Sequence, residues 1–214
     1  MDILSNKIWF FGASNTAHWN LKNEWTNNYV KYKGYVPKHF TELLSDRLNL
    51  TPNNKGIGAI DNYTIFETII KNIHEIKSDD KIVVDWVSPI RFRIVENNKF
   101  KTIIPNLKYN YNQILCENTL NEILINRDSK LFVEEVIYWT ELLIKLYGKN
   151  IVFWTDFSQF NSQPYLIKTG NLKNVMRISQ ETNGIIDDKH YGEEGHIILA
   201  DCLYKALIKK NKFI

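Results

Sequence analysis

Cysteine is almost missing from this chain. It has two in 214 residues, Cys116 and Cys202, far apart and without the paired spacing of a metal site. Neither a disulfide framework nor a cysteine-held metal is indicated, and two buried thiols in a reducing compartment fit the count. Long apolar runs are missing too. Lys81 to Val87 (KIVVDWV) is among the longest, whereas a bilayer span takes about 20 residues. Met1 to Phe11 lacks the basic start, apolar stretch and small-residue cleavage site of a signal peptide, so export by that route is not expected. An excess of charge is also absent. The 27 basic and 24 acidic residues leave +3, and only Lys209, Lys210 and Lys212 cluster, at a tail read as a solvated helix end. Nucleic acid and membrane are therefore not expected as partners. No repeat or low-complexity linker breaks the chain. What remains is an ordinary globular composition, 44% hydrophobic and 24% charged, consistent with one domain over residues 1–214.

Short apolar runs alternate with amphipathic stretches. Ile8 to Phe11, Ile82 to Val87 and Ile151 to Trp154 read as buried strands. Helical spacing recurs in Lys38 to Leu48, Tyr63 to Ile76, Phe132 to Tyr147 and Glu193 to Ile208, with Gly148 as a stop signal after the third. This alternation points to an α/β fold, a three-layer α/β/α sandwich around a parallel, flavodoxin-like sheet. In such a sheet both faces are covered, so its strands are apolar throughout. Long connections run over Asn15 to Val36, Ser88 to about Asn118, and Asp156 to Asp187. Ligands of open α/β sheets sit at the carboxyl ends of the strands, which such loops leave.

Three short motifs fall at those ends. Gly12-Ala13-Ser14 follows the first strand, and the turn presents Ser14, a nucleophile if a base lies near. Asp187-Asp188-Lys189-His190 precedes the last helix. A carboxylate folded back within one turn holds an imidazole in one tautomer, and Asp188 competes with Asp187 for that role. Glu193 and Glu194 suit the first turn of the helix better than a metal. Asn54 to Asn62 is a Gly-rich turn. Asp61 stands where a dinucleotide loop needs its third glycine, so backbone N–H groups facing an oxyanion are the better reading.

In this order the three blocks resemble the SGNH (GDSL-like) hydrolases, a family of esterases and lipases, from Phe10 to about Lys205. The resemblance implies a serine esterase with Ser14 as nucleophile, His190 as base and Asp187 as its orienting acid. It implies no metal and no organic cofactor. The backbone N–H groups of Ser14 and Gly58 would form the oxyanion hole. The family's third block carries Gly-x-Asn-Asp, where this chain has Asp85-Trp86-Val87-Ser88-Pro89-Ile90-Arg91. Ser88 stands in for the missing Asn donor, with Arg91 as a further donor. Ala13 replaces the usual Asp beside the nucleophile. Asn15, Asn62, Trp86 and Arg91 are candidate substrate contacts. His18, Trp19, Trp25, Tyr29, Tyr32 and Tyr35 lie in the loop after Ser14, where aromatic faces suit a sugar ring. The expected substrate is a small-molecule or glycan ester, O-acetyl groups on a glycan in particular. Two alternatives stand beside hydrolysis. One is a weak or inactive SGNH-fold binding or structural subunit, for example of a virus or phage particle. The other is an O-acyltransferase. A cytoplasmic or virion-associated setting suits all three.

Overall fold

The structure is a computed structural model that describes residues 6–96, 98–104, 129–157, 160, 166–169 and 176–208. The core is a five-stranded parallel sheet of order β2-β1-β3-β6-β7. Its strands are β1 (Lys7–Phe11), β2 (Thr51–Asn54), β3 (Lys81–Asp85), β6 (Ile151–Thr155) and β7 (Leu166–Lys168). A separate antiparallel pair, β4 (Phe92–Glu96) and β5 (Lys99–Ile103), follows β3.

Side chains alternate across a strand, so a strand apolar at every position feeds two cores. Trp9 and Phe11 of β1, Ile82 and Val84 of β3, and Ile151 and Phe153 of β6 face one side. There they meet Ile65 and Ile69 of α3 (Asn62–Asn72) and Val136 and Leu143 of α4 (Ser129–Tyr147). Ile8, Phe10, Val83 and Trp154 face the other side. There they meet Phe40 and Leu44 of α2 (Phe40–Leu48) and Leu199, Ala200 and Leu203 of α6 (Glu193–Ile208). The fold is thus the expected three-layer α/β/α sandwich. Among the described residues, no helix is long and apolar enough to cross a membrane.

The long connections contain structure that periodicity does not reveal. The first holds α1 (Glu24–Lys33), the second the β4–β5 pair, and the third β7 and the short α5 (Ile178–Glu181). β2 (TPNN) is also unannounced, since its polar, partly exposed residues carry no apolar signal. Its edge position tolerates Pro52, which cannot donate to a ladder. Cys116 and the tail lysines lie outside the described residues, and Cys202 is half-buried.

Candidate active site

β1 carries the chain to Gly12, where the backbone comes very close to the end of β3. A Cβ on Gly12 would lie 2.3 Å from Thr16 Oγ1 and 2.5 Å from Asp85 Cβ. The turn then closes on the Ala13 carbonyl, which accepts from the N–H groups of Thr16 and Ala17, both at 2.9 Å. Every neighbour of Ser14 is tied down. Thr16 Oγ1 donates to the Asp85 carboxylate at the end of β3 at 3.1 Å, and the Ala13 N–H favours the ionised form of that carboxylate. Asn15 Nδ2 donates to Asp156, just past β6, at 3.2 Å. The Asn15 carbonyl accepts from His39 Nε2 at 3.0 Å, and the Thr16 carbonyl accepts from Asn54 Nδ2 at 2.7 Å. Ser14 itself is partly exposed, and neither its N–H nor its Oγ has a partner among the described residues.

The histidine loop is built by close packing at the start of α6. An added Cβ on Gly195 would sit 2.4 Å from the Met176 carbonyl, and one on Gly192 would strike the Glu181 carboxylate. That closeness lets Ile178 N–H donate to the His190 carbonyl (2.9 Å) and Ser179 N–H to the Asp188 carbonyl (3.0 Å). The Glu181 carboxylate in turn accepts the free N–H of Glu194 at 2.8 Å. So held, His190 Nδ1 donates to Asp188 Oδ1 at 2.6 Å, and His190 N–H donates to the same oxygen at 2.9 Å. With Nδ1 donating, the neutral ring keeps its lone pair on Nε2. Burial pushes Asp188 up, but the hydrogen bonds from His190 outweigh it and hold the carboxyl below its usual range.

Ser14, Asp188 and His190 line one cleft of about 200 Å³, with Gly58 on its rim. The Gly58 N–H also has no partner among the described residues, and nothing lies within 4 Å of where its Cβ would be. The back wall is Trp19, His39 and His196. Trp19 is fixed by donating to the Pro37 carbonyl at 2.8 Å. His39 and His196 are buried, with ring centroids 4.3 Å apart. Burial, then the nearby His18, pushes His39 down to about 3. Burial, then His39, likewise pushes His196 well below the ordinary imidazole range. Both rings are therefore neutral wall, not bases. Among the described residues, no lysine or arginine lines the cleft. Among the described residues, no group of three or more His, Cys, Asp or Glu is placed to hold a metal ion.

Several sequence expectations land elsewhere. The carboxylate on His190 belongs to Asp188, because Asp187 points outward to Lys189 at 2.8 Å and is exposed. Trp86 belongs to the core, not to the Ser14 cleft. It is fully buried, and its Nε1 donates to Thr140 Oγ1 on α4 at 2.9 Å. Asn62 is occupied in a reciprocal amide clamp with Val87, donating to its carbonyl and accepting its N–H, both at 2.8 Å. That clamp turns the chain after β3 away from Ser14. Ser88 is consequently buried outside the cleft, and Arg91 reaches the Ile60 carbonyl at 3.0 Å, beside a second cleft of about 270 Å³ under α3. Asn15 does line the Ser14 cleft, though its Nδ2 is committed to Asp156. Of the loop aromatics, His18 and Trp19 reach the cleft. Tyr29 is buried against Glu181, Tyr32 and Tyr35 are exposed, and the Trp25 side chain lies outside the described residues.

Asp85, Asp156 and His39 escaped the sequence reading. The signal for Asp85 was present: an acid closing the otherwise apolar KIVVD run must have a buried partner. Burial, then the Asp156 charge, pushes Asp85 up to about 7, although Thr16, Arg91 and the Ala13 N–H favour its ionised form.

No protein-family model matches the chain, and no curated protein does. Among solved structures, a member of the lipolytic protein G-D-S-L family from Veillonella parvula DSM 2008 is similar with a TM-score of 0.47 and 14% identity, over 97% of this chain and 100% of that one.

Proposed function

We propose that the chain is a serine esterase. The observation that carries the reading is that Ser14, His190 and Asp188 meet in one cleft, with Asp188 on His190 Nδ1 at 2.6 Å. In the proposed reaction, Ser14 Oγ attacks the ester carbonyl and His190 Nε2 takes its proton. The developing oxyanion is met by the N–H groups of Ser14 and Gly58, each such donor being worth ~10²–10³ in rate. His190 returns the proton to the departing alcohol. It then deprotonates a water that hydrolyses the acyl-enzyme and frees Ser14. Asp188, in place of Asp187, orients the imidazole and offsets its charge.

The substrate we infer is an uncharged ester, with O-acetyl groups on a glycan as the leading case. A cleft walled by Trp19, with no cationic side chain among the described residues that line it, supports it. A second reading, a non-catalytic binding subunit, draws on two observations. Among the described residues Ser14 and His190 are not hydrogen-bonded, and Ser88 offers no side-chain donor to the cleft. Acyl transfer to a sugar uses the same groups with a hydroxyl in place of water.

The test is intact-mass measurement after exposure to a fluorophosphonate, beside Ser14→Ala. One adduct, lost in the variant, is the expected result. A folded wild type that takes no adduct shifts the assignment to the binding reading.

A further inference from the structure

Asp85 is a fully buried carboxylate under the loop that presents Ser14, and the reaction as written does not use it. It is not a generic core acid. Thr16 Oγ1 donates to it and the Ala13 N–H favours its ionised form, and these two groups flank Ser14 on either side in the chain. The Gly12 backbone rests directly on its Cβ, where no side chain fits. Ala13 stands immediately before Ser14, so a shift of its N–H turns the peptide that carries the Ser14 N–H, the proposed oxyanion donor. The other ties in the turn, from Asp156, His39 and Asn54, hold only Asn15 and Thr16.

We propose that Asp85 is the positioning residue of the Ser14 turn, and that Ser14 is presented for reaction while Asp85 is ionised and gripping Ala13 and Thr16. A carboxylate accepts both donors at once. A carboxylic acid carries a proton of its own, which competes with these two groups for the same oxygens and weakens the hold on them. Two charged groups act on Asp85, and a third acts on one of them. Asp156 past β6 opposes its ionisation, and Arg91 after β3 favours it. Asp61 at the start of α3 acts on Arg91. The balance of burial and these charges puts the change near neutrality, at about 7. The proton state of a group that never touches substrate thereby sets the reactivity of Ser14.

The grip itself does not depend on the esterase reading, whereas its kinetic consequence does. The test therefore has two arms on the same ¹⁵N-labelled protein, run from about pH 5 to about pH 9. In the first arm, the Ala13 and Ser14 amide proton shifts of the wild type are expected to move together with one midpoint near neutrality, and to stay flat in Asp85→Asn. In the second arm, fluorophosphonate labelling of Ser14 is expected to be ~10-fold or more slower in Asp85→Asn above neutral pH, the scale set by a charge-assisted hydrogen bond. Thr16→Val slows it as well, and adding Thr16→Val to Asp85→Asn slows it little further, because both act through one contact. Any pH dependence that His190 contributes as base is common to all these proteins and drops out of the comparison. Flat Ala13 and Ser14 shifts in the folded wild type overturn the proposal, even if Asp85→Asn fails to fold. A variant that labels at the wild-type rate across the range overturns it too. A wild type that takes no adduct while Ala13 and Ser14 still titrate sinks the esterase reading and supports the Asp85 grip.

Discussion

The two ends of β3 carry two buried aspartates with opposite fates. Asp80, at the entry, accepts from the N–H groups of Lys7 (2.9 Å) and Lys77 (3.0 Å) and from Trp9 Nε1 (2.8 Å). Burial pushes its carboxyl up, but those donors outweigh burial and hold it below the usual range. Asp85, at the exit, has fewer donors and faces Asp156, and ends up at about 7. The entry end is thus satisfied and structural. The exit end holds a carboxylate poised near neutrality and, among the described residues, a Ser14 side chain and Ser14 and Gly58 N–H groups without hydrogen-bond partners.

Linkage gives the two ends opposite signs. Asp80 contributes stability above the unfolded carboxyl value, and this is lost as pH falls through its lowered folded value. The native state keeps a proton on Asp85 that the unfolded chain releases between 3.8 and about 7. That contribution to stability falls as pH rises through the window, by up to ~1.4 kcal/mol per pH unit, and levels off above it.

Substitutions at each end test the contrast. Asp188→Ala, at the exit end, should slow Ser14 labelling by ~10³–10⁴-fold, as loss of an orienting acid does. A drop of less than ~10-fold would place the acid elsewhere. Asp80→Ala should cost on the order of 4 kcal/mol in urea unfolding by orphaning buried donors. The labelling rate of the protein that remains folded should be unchanged. If labelling fell with stability, the two ends would not be separable. The stability of Asp85→Asn relative to wild type should improve by about 3 kcal/mol between about pH 5 and about pH 8. A constant difference across that range would mean that Asp85 titrates at its ordinary value.

Behind the cleft, His196 buries an Nδ1 that has no hydrogen-bond partner among the described residues. His196→Phe should raise stability by ~1 kcal/mol at neutral pH. The gain should grow below about pH 6.5, where unfolded imidazoles take up protons that this buried ring does not. A loss at all pH values would show that the imidazole packs better than it ionises. The smallest effect belongs to Asp187→Ala. Its exposed pair with Lys189 is worth less than ~0.5 kcal/mol, and labelling should not change. A large loss of labelling would restore Asp187 as the orienting acid.

Local signals read well at the strands and helices. Runs such as IWFF and IVFW feed both faces of the sheet, so their apolar density announced buried parallel strands. β2 was silent because an edge strand needs no apolar face, and β7 because its three residues are too few to show a period. At the site, Ser14, Gly58 and His190 line one cleft, whereas Ser88, Trp86, Arg91 and Asn62 are placed away from it. The Asn62–Val87 clamp steers the segment after β3, and its partners are 25 residues apart, beyond the reach of any local pattern.

Taken alone, the sequence determined the alternation of elements, the parallel sheet, and the presentation of a serine past Gly12. Each follows from periodicity or turn sterics acting within a few residues. Only the tertiary structure decided that Asp188, not Asp187, meets His190. Backbone bonds from Ile178 and Ser179 set which carboxylate turns inward. Only the tertiary structure put Asp85 beneath Ser14, because that contact joins Thr16 to a residue 69 positions away through the pairing of β1 with β3. Burial and a neighbouring charge, which have no signature along the chain, then brought that carboxyl to the edge of ionisation.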